Sequence, residues 1–206
     1  MIRVIAVANN KGGVAKTTTA THLAYKLSFS GETILIDADP NRSSIAWAAR
    51  AQNPFPCKVI TEMQLAGFRG NFQYAVTDTK ARVERDDLKD LMEVSDLIIL
   101  PSPPSGDDLR VTANTALQLS ELGSTKHKVL LTKVPTTSGS TDELGAREFL
   151  ADKGVPVFKG RIRQYSAYGK AFIAGVPVCL VKGDRYAKIA WSDYESVIKE
   201  ALNGQV

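Results

Sequence analysis

The sequence predicts a single doubly wound α/β domain, built on one mostly parallel sheet with helices on both faces. Short apolar runs alternate with longer helical patterns along all 206 residues. Runs such as TILID (33–37) and LIILP (97–101) are almost continuously apolar, as is typical of strands covered on both faces. No repeat or linker divides the chain, and its length suits one domain with its own core. Alternating strands and helices then favour a parallel sheet with crossover helices.

Each predicted element follows from a local pattern of apolar residues. The predicted strands are 2–8, 33–37, 57–60, 72–78, 97–101 and 128–132, with 155–158 and 176–180 as short additional strands. The predicted helices are 17–30, 43–51, 86–94, 107–122, 142–153 and 184–202. Parallel sheets bind ligands beyond the carboxyl ends of their strands, so we expect the chemistry at 8–18, 37–41 and 78–82.

The composition is ordinary for a globular protein, with 44% hydrophobic and 23% charged residues and a net charge of +4. No apolar run approaches the roughly 18 residues that a membrane helix needs, and the first residues show no export signal. Cys57 and Cys179 lie far apart and form no CxxC motif, which indicates two thiols in a reducing compartment. These features predict a cytoplasmic protein.

The segment NNKGGVAKTTTA (9–20) has the order strand, loop, helix that a phosphate-binding loop requires. It matches the common pattern G-x-x-x-x-G-K-[ST] only at Lys16 and Thr17, because Asn10 and Ala15 occupy the two glycine positions. The alternative is a lysine-rich structural turn that merely resembles such a loop.

Glycines in the same segment favour the phosphate-binding interpretation. Gly12 and Gly13 allow backbone N–H groups to close around phosphate oxygens, and the helix that follows directs its positive end there. We expect Lys16 to hold the β- and γ-phosphates of a nucleotide and the Thr17 hydroxyl to bind Mg²⁺.

Three carboxylates follow two other predicted strands. Asp37 and Asp39 end the run TILIDADPN, and Asp78 ends FQYAVTD in the place of a Walker B carboxylate. Mg²⁺ prefers oxygen ligands and keeps several waters, so a few carboxylates near the phosphates suffice. The shared position of these features at strand ends predicts a nucleotide site.

The motifs KGGVAKTTTATHLA (11–24) and ILIDADPN (34–41) resemble those of the ParA/MinD family of deviant Walker A ATPases. The resemblance covers nearly the whole chain. The family motif is KGGxGKT, whose first lysine is Lys11 here. Ala15 departs from it: a left-handed φ would cost alanine about 1–2 kcal/mol, whereas a helical φ would cost little. We expect ATP affinity to be reduced but not abolished.

The resemblance implies one P-loop ATPase domain over 1–206, without an N-terminal helix-turn-helix, that forms an ATP-sandwich homodimer with Mg²⁺. Lys11 would reach the phosphates of the partner's nucleotide, Asp39 would polarise the attacking water, and Asp37 and Asp78 would arrange Mg²⁺ through its waters. The implied catalytic residues are Lys11, Lys16, Asp37 and Asp39. The implied metal-site residues are Thr17, Asp37 and Asp78. The implied nucleotide-binding residues are Lys11, Gly12, Gly13, Val14, Ala15, Lys16, Thr17 and Thr18.

The stretch DTKAR (78–82) lacks the Pro-Pro-Gly turn common in this family and resembles a variant found in some plasmid-type and carboxysome-positioning members. Lys80 and Arg82 are either solvated loop charges or contacts to phosphate or to the dimer partner.

Absent features separate the functions within the family. Cys57 and Cys179 do not fit a cluster shared between subunits. The ending SDYESVIKEALNGQV (192–206) lacks the basic, bulky face of a membrane-binding helix, so we expect no membrane partner.

The small ParA type remains, which implies binding to double-stranded DNA of any sequence on the nucleoid. It also implies slow hydrolysis stimulated by a ParB-like or McdB-like adaptor. Plasmid DNA is the main expected cargo and a protein cargo such as carboxysomes is the alternative. A metabolic P-loop enzyme is a third interpretation.

Basic residues interleaved with tyrosines in 157–178 predict the DNA contacts, because clustered cations give sequence-independent affinity for phosphates. The candidate DNA-binding residues are Lys159, Arg161, Arg163 and Lys170 within this stretch, and Lys182, Arg185 and Lys188, which follow it. The alternatives are a solvated basic face and a loop that frames adenine.

The two histidines are assigned no chemistry. We expect His22 to be packed or hydrogen-bonded within the first helix, and His127 to lie in an exposed turn.

Overall fold

The computed structural model describes residues 2–137 and 141–203. Its six strands are β1 (Arg3–Asn9), β2 (Thr33–Ala38), β3 (Lys58–Thr61), β4 (Tyr74–Ala81), β5 (Leu97–Ser102) and β6 (His127–Leu131). Its α-helices are α1 (Lys16–Leu27), α2 (Ser43–Ala49), α3 (Glu62–Leu65), α4 (Arg85–Val94), α5 (Gly106–Glu121), α6 (Thr141–Asp152), α7 (Ala167–Ala174) and α8 (Ala187–Asn203).

The strands form one sheet in the order β3-β2-β4-β1-β5-β6, with every pair of neighbours parallel. The predicted fold class is therefore confirmed. The register places Asp78 beside Val7 on one side and beside Asp37 on the other. Since parallel strands share one carboxyl edge, this pairing brings the predicted carboxylates together next to the loop that follows β1.

The apolar strands are buried on both faces, as their composition predicts. In β1, Ile5 and Val7 pack into a core with α1 and α8, whereas Ala6 and Ala8 pack into a second core with α4, α5 and α6. Within 2–137 and 141–203, no helix combines the length and apolar character needed to cross a membrane.

The two short additional strands differ from expectation. The predicted strand 155–158 contributes only an isolated bridge between Val157 and Val129. The strand predicted at 176–180 is wrong, because Val178–Leu180 forms a 3-10 helix and the Val178 N–H donates to His22 Nε2 at 3.0 Å. Helices α3 and α7 were not predicted.

His22 is fully buried, as expected, and its Nδ1–H donates to the Thr18 carbonyl at 2.7 Å. The expectation for His127 was wrong. It belongs to β6, is only 3% exposed, and lies 3.3 Å from the hydroxyls of both Ser120 and Ser124.

Candidate active site

The loop of residues 10–15, here called the phosphate loop, joins β1 to the start of α1 at Lys16. Gly13 and Ala15 both have φ of 75°, in the left-handed region. Of the two conformations considered for Ala15, the structure adopts the one that costs alanine about 1–2 kcal/mol. A Cβ added to Gly12 or Gly13 would meet no atom within 4 Å, so there is open space beside the loop.

Lys16 lies at the first position of α1 and is 7% exposed. Its Nζ donates to the Lys11 carbonyl at 3.1 Å. Burial lowers the pKa of Lys16, and the nearby carboxylates of Asp78 and Asp39 act in the opposite direction. The structure therefore brings Lys16 together with the predicted carboxylates Asp39 and Asp78 in one electrostatic cluster.

Asp78 is fully buried, and its two carboxylate oxygens have different surroundings. Its Oδ2 accepts from the Ser44 hydroxyl at 2.8 Å, while its Oδ1 has no hydrogen-bond partner among the described residues. Burial raises the pKa of Asp78 to about 6, against the opposing effect of the Ser44 and Thr17 hydroxyls and of Lys16. A buried carboxylate oxygen without a donor is costly unless a cation or another ligand satisfies it.

Asp37 and Asp39 have different surroundings, although they are only two positions apart. Asp37 is fully buried and accepts backbone N–H groups from Asp39 at 3.2 Å and Ile45 at 2.9 Å. It thereby fixes the turn between β2 and α2. Asp39 accepts from the Asn41 N–H at 2.8 Å and lines the cavity described below.

Lys11 points away from this cluster. Its Nζ lies 3.4 Å from Asp108 Oδ1 in the first turn of α5, and its side chain is 45% exposed. Its backbone N–H donates to Asn9 Oδ1 at 3.0 Å, which positions the start of the phosphate loop. Lys11 thus differs from Lys16 in facing outward within the single chain.

A cavity of about 420 Å³, here called the main cavity, opens along the phosphate loop. Six of the predicted nucleotide-binding residues line it, namely Gly12, Gly13, Ala15, Lys16, Thr17 and Thr18. Asp39 also lines it, whereas Lys11 and Val14 do not. Val14 is buried, and its carbonyl accepts from the Thr132 hydroxyl at 3.0 Å.

A smaller cavity of about 170 Å³, here called the side cavity, adjoins the main cavity. The two share Ala15, Thr18 and Lys133. The rest of the side cavity is lined by Thr132, which follows β6, by Tyr194 of α8, and by the 162–168 segment, including Gln164 and Tyr168. It is lined by both aromatic and polar groups, which suits a planar ring with hydrogen-bonding edges.

Sequence reasoning missed two residues of this site. Ser44 holds Asp78 from α2, 34 positions away, and no local pattern distinguishes it from other serines. Lys133 lies on both cavities with φ of 51° and forms no ion pair among the described residues. Its place just after β6, at the carboxyl edge of the sheet, was a signal that could have found it.

The candidate DNA-binding residues fall into two groups. Three are neutralised by carboxylates: Arg161 lies 3.0 Å from Glu143, Arg163 lies 2.6 Å from Asp193, and Lys170 lies 2.7 Å from Asp184. The others, which have no ion pair in the described part of the chain, are Lys159, Lys182, Arg185 and Lys188. Fewer of these cations are available to bind phosphates than the sequence suggests.

The residues present fit a magnesium nucleotide. The Asp78 carboxyl group lies near Lys16 and Thr17, which line the main cavity, although Asp78 itself does not line it. A cation bound between these groups would satisfy Asp78 Oδ1, which has no hydrogen-bond partner among the described residues. Within 2–137 and 141–203, no group of three or more His, Cys, Asp or Glu side chains is placed to hold a metal. Mg²⁺ would therefore depend on phosphate oxygens and water for most of its ligands.

Comparison with known proteins agrees with this geometry. A family model described as an AAA domain matches residues 2–53. The chain is 35% identical over 204 residues to Maintenance of carboxysome distribution protein A from Gloeobacter kilaueensis, covering 96% of this chain and 93% of the relative. It is 25% identical over 184 residues to Protein ParA from Rhizobium radiobacter, covering 84% and 83%.

Among solved structures, the ATP complex of a McdA variant from Cyanothece has a TM-score of 0.76 at 17% identity, covering 100% of this chain and 98% of that chain. The structural likeness shows a shared fold. The 35% identity over 96% of this chain and 93% of the relative shows more, namely membership of the same family. The chain belongs to the ParA/MinD family of P-loop ATPases.

Proposed function

We propose that this chain is a ParA-type positioning ATPase that works as one P-loop domain. It forms an ATP-dependent homodimer, binds double-stranded DNA of any sequence, and uses the nucleoid in the cytoplasm to distribute a cargo. An adaptor protein accelerates its slow hydrolysis of ATP to ADP and phosphate. The observation that carries this proposal is the buried Asp78 carboxyl group, whose Oδ1 has no hydrogen-bond partner among the described residues, near Lys16 and Thr17 of the open phosphate-loop cavity.

Lys16 and the loop backbone would hold the phosphates, since catalysis of phosphoryl transfer consists largely of positioning and charge neutralisation. Mg²⁺, when bound, would supply charge stabilisation at the phosphates. Thr17 and Asp78 would hold it at their oxygens, with Asp37 acting through the turn that it fixes. Ser44 would keep the Asp78 carboxylate oriented.

Asp39 would position and polarise the attacking water. It lines the main cavity, whereas the Asp37 carboxylate is occupied by two backbone N–H groups. This difference in surroundings supports Asp39 over Asp37 for the water.

The nucleotide base would occupy the side cavity. This cavity adjoins the main cavity at Ala15, Thr18 and Lys133, so a single ligand can fill both. Tyr165 and Tyr168, which also line the side cavity, are then better explained as base contacts than as DNA contacts.

Lys11 would complete the site of a second subunit. It is the one motif lysine that faces away from the main cavity of its own chain, where Lys16 already supplies the charge. A cation delivered across the interface would make hydrolysis depend on dimerisation.

A protein cargo of the carboxysome type is favoured over a plasmid. The relative named for carboxysome distribution is 35% identical over 96% of this chain, whereas the ParA relative is 25% identical over 84%. Plasmid partition, the main expectation from the sequence, becomes the second candidate and is supported by the ParA relative.

The DNA contacts would come mainly from the cations without ion pairs, namely Lys159, Lys182, Arg185 and Lys188. A monomer offers few of these, and non-specific DNA binding of that size is weak, with Kd on the order of 10⁻⁴ M at physiological salt. An ATP dimer doubles and tethers the patch, which strengthens binding without new residues.

Fluorescence anisotropy of labelled duplexes of unrelated sequence tests the proposal. We expect binding with ATP–Mg²⁺ and little with ADP–Mg²⁺. Lys159→Ala combined with Lys188→Ala should weaken all duplexes alike and flatten the salt dependence. The control is Lys58→Ala with Arg69→Ala, since Lys58 lies on β3 at the sheet edge opposite β6 and Arg69 lies in the loop that follows α3. No DNA binding by the ATP form at low salt would refute the nucleoid part of the proposal.

A further inference from the structure

A groove of about 680 Å³ lies on the outer side of the molecule, and we call it the outer groove. It is bounded by Tyr25 of α1, by the 50–56 loop that follows α2, and by the segment from α7 to residue 182. It shares no lining residue with the main cavity or the side cavity. A nucleotide therefore does not account for it.

Large apolar side chains stand at the rim of the outer groove and are open to solvent. Ile173 is 75% exposed and Leu180 is 52% exposed, while Phe55 lies partly buried in the wall. Side chains that project this far do not enclose a small molecule. Apolar side chains grouped along a groove mark a surface that a protein partner covers.

The charge of the outer groove has a single sign. Arg50, Lys170 and Lys182 line it, and none of its described lining residues is Asp or Glu. Lys170 pairs with Asp184 just outside the groove, whereas Arg50 and Lys182 form no ion pair within the described residues. A partner segment that carries carboxylates next to apolar side chains would complement both features.

The groove is joined to the nucleotide site by one short helix, α2. Arg50, which follows α2, donates from Nε to the Phe172 carbonyl at 2.9 Å. Gly175 ends α7 with φ of 69°, and a Cβ there would lie only 2.5 Å from the Ala51 nitrogen, so the two segments are in close contact. At the other end of α2, Ser44 holds Asp78.

From these observations we infer that the outer groove docks a protein partner through a segment that combines acidic and apolar side chains. This deepens the proposed function, on which it rests, because it names the surface and the chemistry by which a stimulating adaptor binds. Duplex DNA is the weaker occupant of the groove, since phosphates would satisfy the cations but leave Ile173 and Leu180 uncovered. Lys182, which is also a candidate DNA contact, would then bind the protein partner and leave Lys159, Arg185 and Lys188 for DNA.

The test is fluorescence anisotropy of a labelled peptide in which glutamates alternate with leucine and phenylalanine, added to the full chain with ATP–Mg²⁺. Two twin peptides carry lysine in place of each glutamate, or serine in place of each leucine and phenylalanine. Labelled duplex DNA and a fluorescent ATP analogue are measured on the same samples. The test variants are Ile173→Ser with Leu180→Ser, and Lys182→Glu.

The matched control is Val94→Ser with Leu144→Ser, which removes apolar side chains of similar exposure, 63% and 57%, on α4 and α6. We expect the glutamate peptide to bind the wild type and the control alike. The wild type should bind each twin peptide about tenfold more weakly, or worse, than it binds the glutamate peptide. Each test variant should show the same loss of affinity for the glutamate peptide, while its ATP binding is unchanged.

Equal binding of the lysine twin, or undiminished binding by the Ile173→Ser and Leu180→Ser variant, would overturn the inference. Loss of DNA binding in that variant would assign the groove to DNA and also overturn it. If the wild type binds ATP and DNA but not the glutamate peptide, the inference about the groove is overturned and the proposed function still stands. Absence of ATP binding would instead defeat the proposed function.

Discussion

Lys11 Nζ lies 3.4 Å from Asp108 Oδ1 of its own chain, so the lysine proposed to reach a partner subunit is held by a carboxylate within the monomer. Both side chains are partly exposed, and such a pair contributes up to about 1 kcal/mol. Formation of the proposed dimer would break two of these pairs, one in each subunit. We therefore expect Asp108→Asn to lower the dimer dissociation constant in ATP–Mg²⁺ by about tenfold, measured by analytical ultracentrifugation.

The control for this prediction is Asp107→Asn, which changes the same turn of α5 but removes no ion pair among the described residues. Tighter association in both variants would indicate a general effect of charge on α5. Unchanged association in Asp108→Asn would show that the pair does not restrain Lys11.

Ala15 is strained in its left-handed conformation, so Ala15→Gly should relieve about 1–2 kcal/mol of backbone strain. Glycine also loses more conformational freedom on folding, roughly 0.5–1 kcal/mol, so the net gain in unfolding free energy is about 1 kcal/mol or less. We expect tighter ATP binding as well. Urea denaturation and nucleotide titration measure the two effects. As the control, Ala46→Gly within α2 should destabilise the folded protein by about 1 kcal/mol. If Ala15→Gly also destabilised the folded protein, Ala15 would not be strained.

Ser44→Ala removes the hydroxyl that donates to Asp78 Oδ2 at 2.8 Å. Groups that orient a metal-binding carboxylate typically contribute 10–100-fold to metal affinity, so we expect about a tenfold rise in the Mg²⁺ concentration for half-maximal ATP hydrolysis. ATP hydrolysis across a Mg²⁺ series measures this. Ser196→Ala, an exposed serine on α8, is the control. An unchanged Mg²⁺ requirement would show that the hydrogen bond from Ser44 to Asp78 does not contribute to metal binding.

His22 makes folding sensitive to mild acid. Burial lowers the pKa of His22 to about 4, and its Nε2 accepts the Val178 N–H, so the folded state favours the neutral ring. Its contribution to stability is present above its unfolded pKa of 6.5 and is lost as pH falls toward 4. The full loss is about 3 kcal/mol, of which about 2 kcal/mol occurs between pH 7 and pH 5.

Urea denaturation of the wild type and His22→Gln at pH 7 and pH 5 measures this effect. The stability advantage of the wild type should shrink at pH 5. His127→Gln is the control for the second histidine. The prediction fails if the difference between wild type and His22→Gln is the same at both pH values.

The sequence predicted the sheet well because its strands are buried on both faces and their apolar runs are unmistakable. All six principal strands lie within a few residues of the predicted ranges. The segment after β6 was harder. There Arg163 pairs with Asp193, 30 positions away, and Val178 donates to His22, 156 positions away. Local sequence patterns do not reveal such long-range contacts. A strand was therefore expected at 176–180, where the structure has a 3-10 helix.

The candidate site shows the same division. The motifs placed Lys16, Thr17 and Asp39 at one cavity, because the strand ends that carry them meet at one edge of the sheet. Ser44 and Lys133 have no motif, and only the packing of α2 and the end of β6 brings them there. The left-handed φ of Ala15 also required the structure, since alanine ordinarily avoids it.

The most direct test of the account is sedimentation of the wild-type chain and Lys11→Ala at saturating ATP–Mg²⁺, with nucleotide occupancy measured in parallel. Lys16→Ala serves as the variant that should bind no nucleotide. The account predicts a wild-type dimer with ATP and a monomer with ADP, and a Lys11→Ala chain that binds ATP but stays monomeric. A wild type that binds ATP and remains monomeric, or a Lys11→Ala chain that dimerises as well as the wild type, would contradict it.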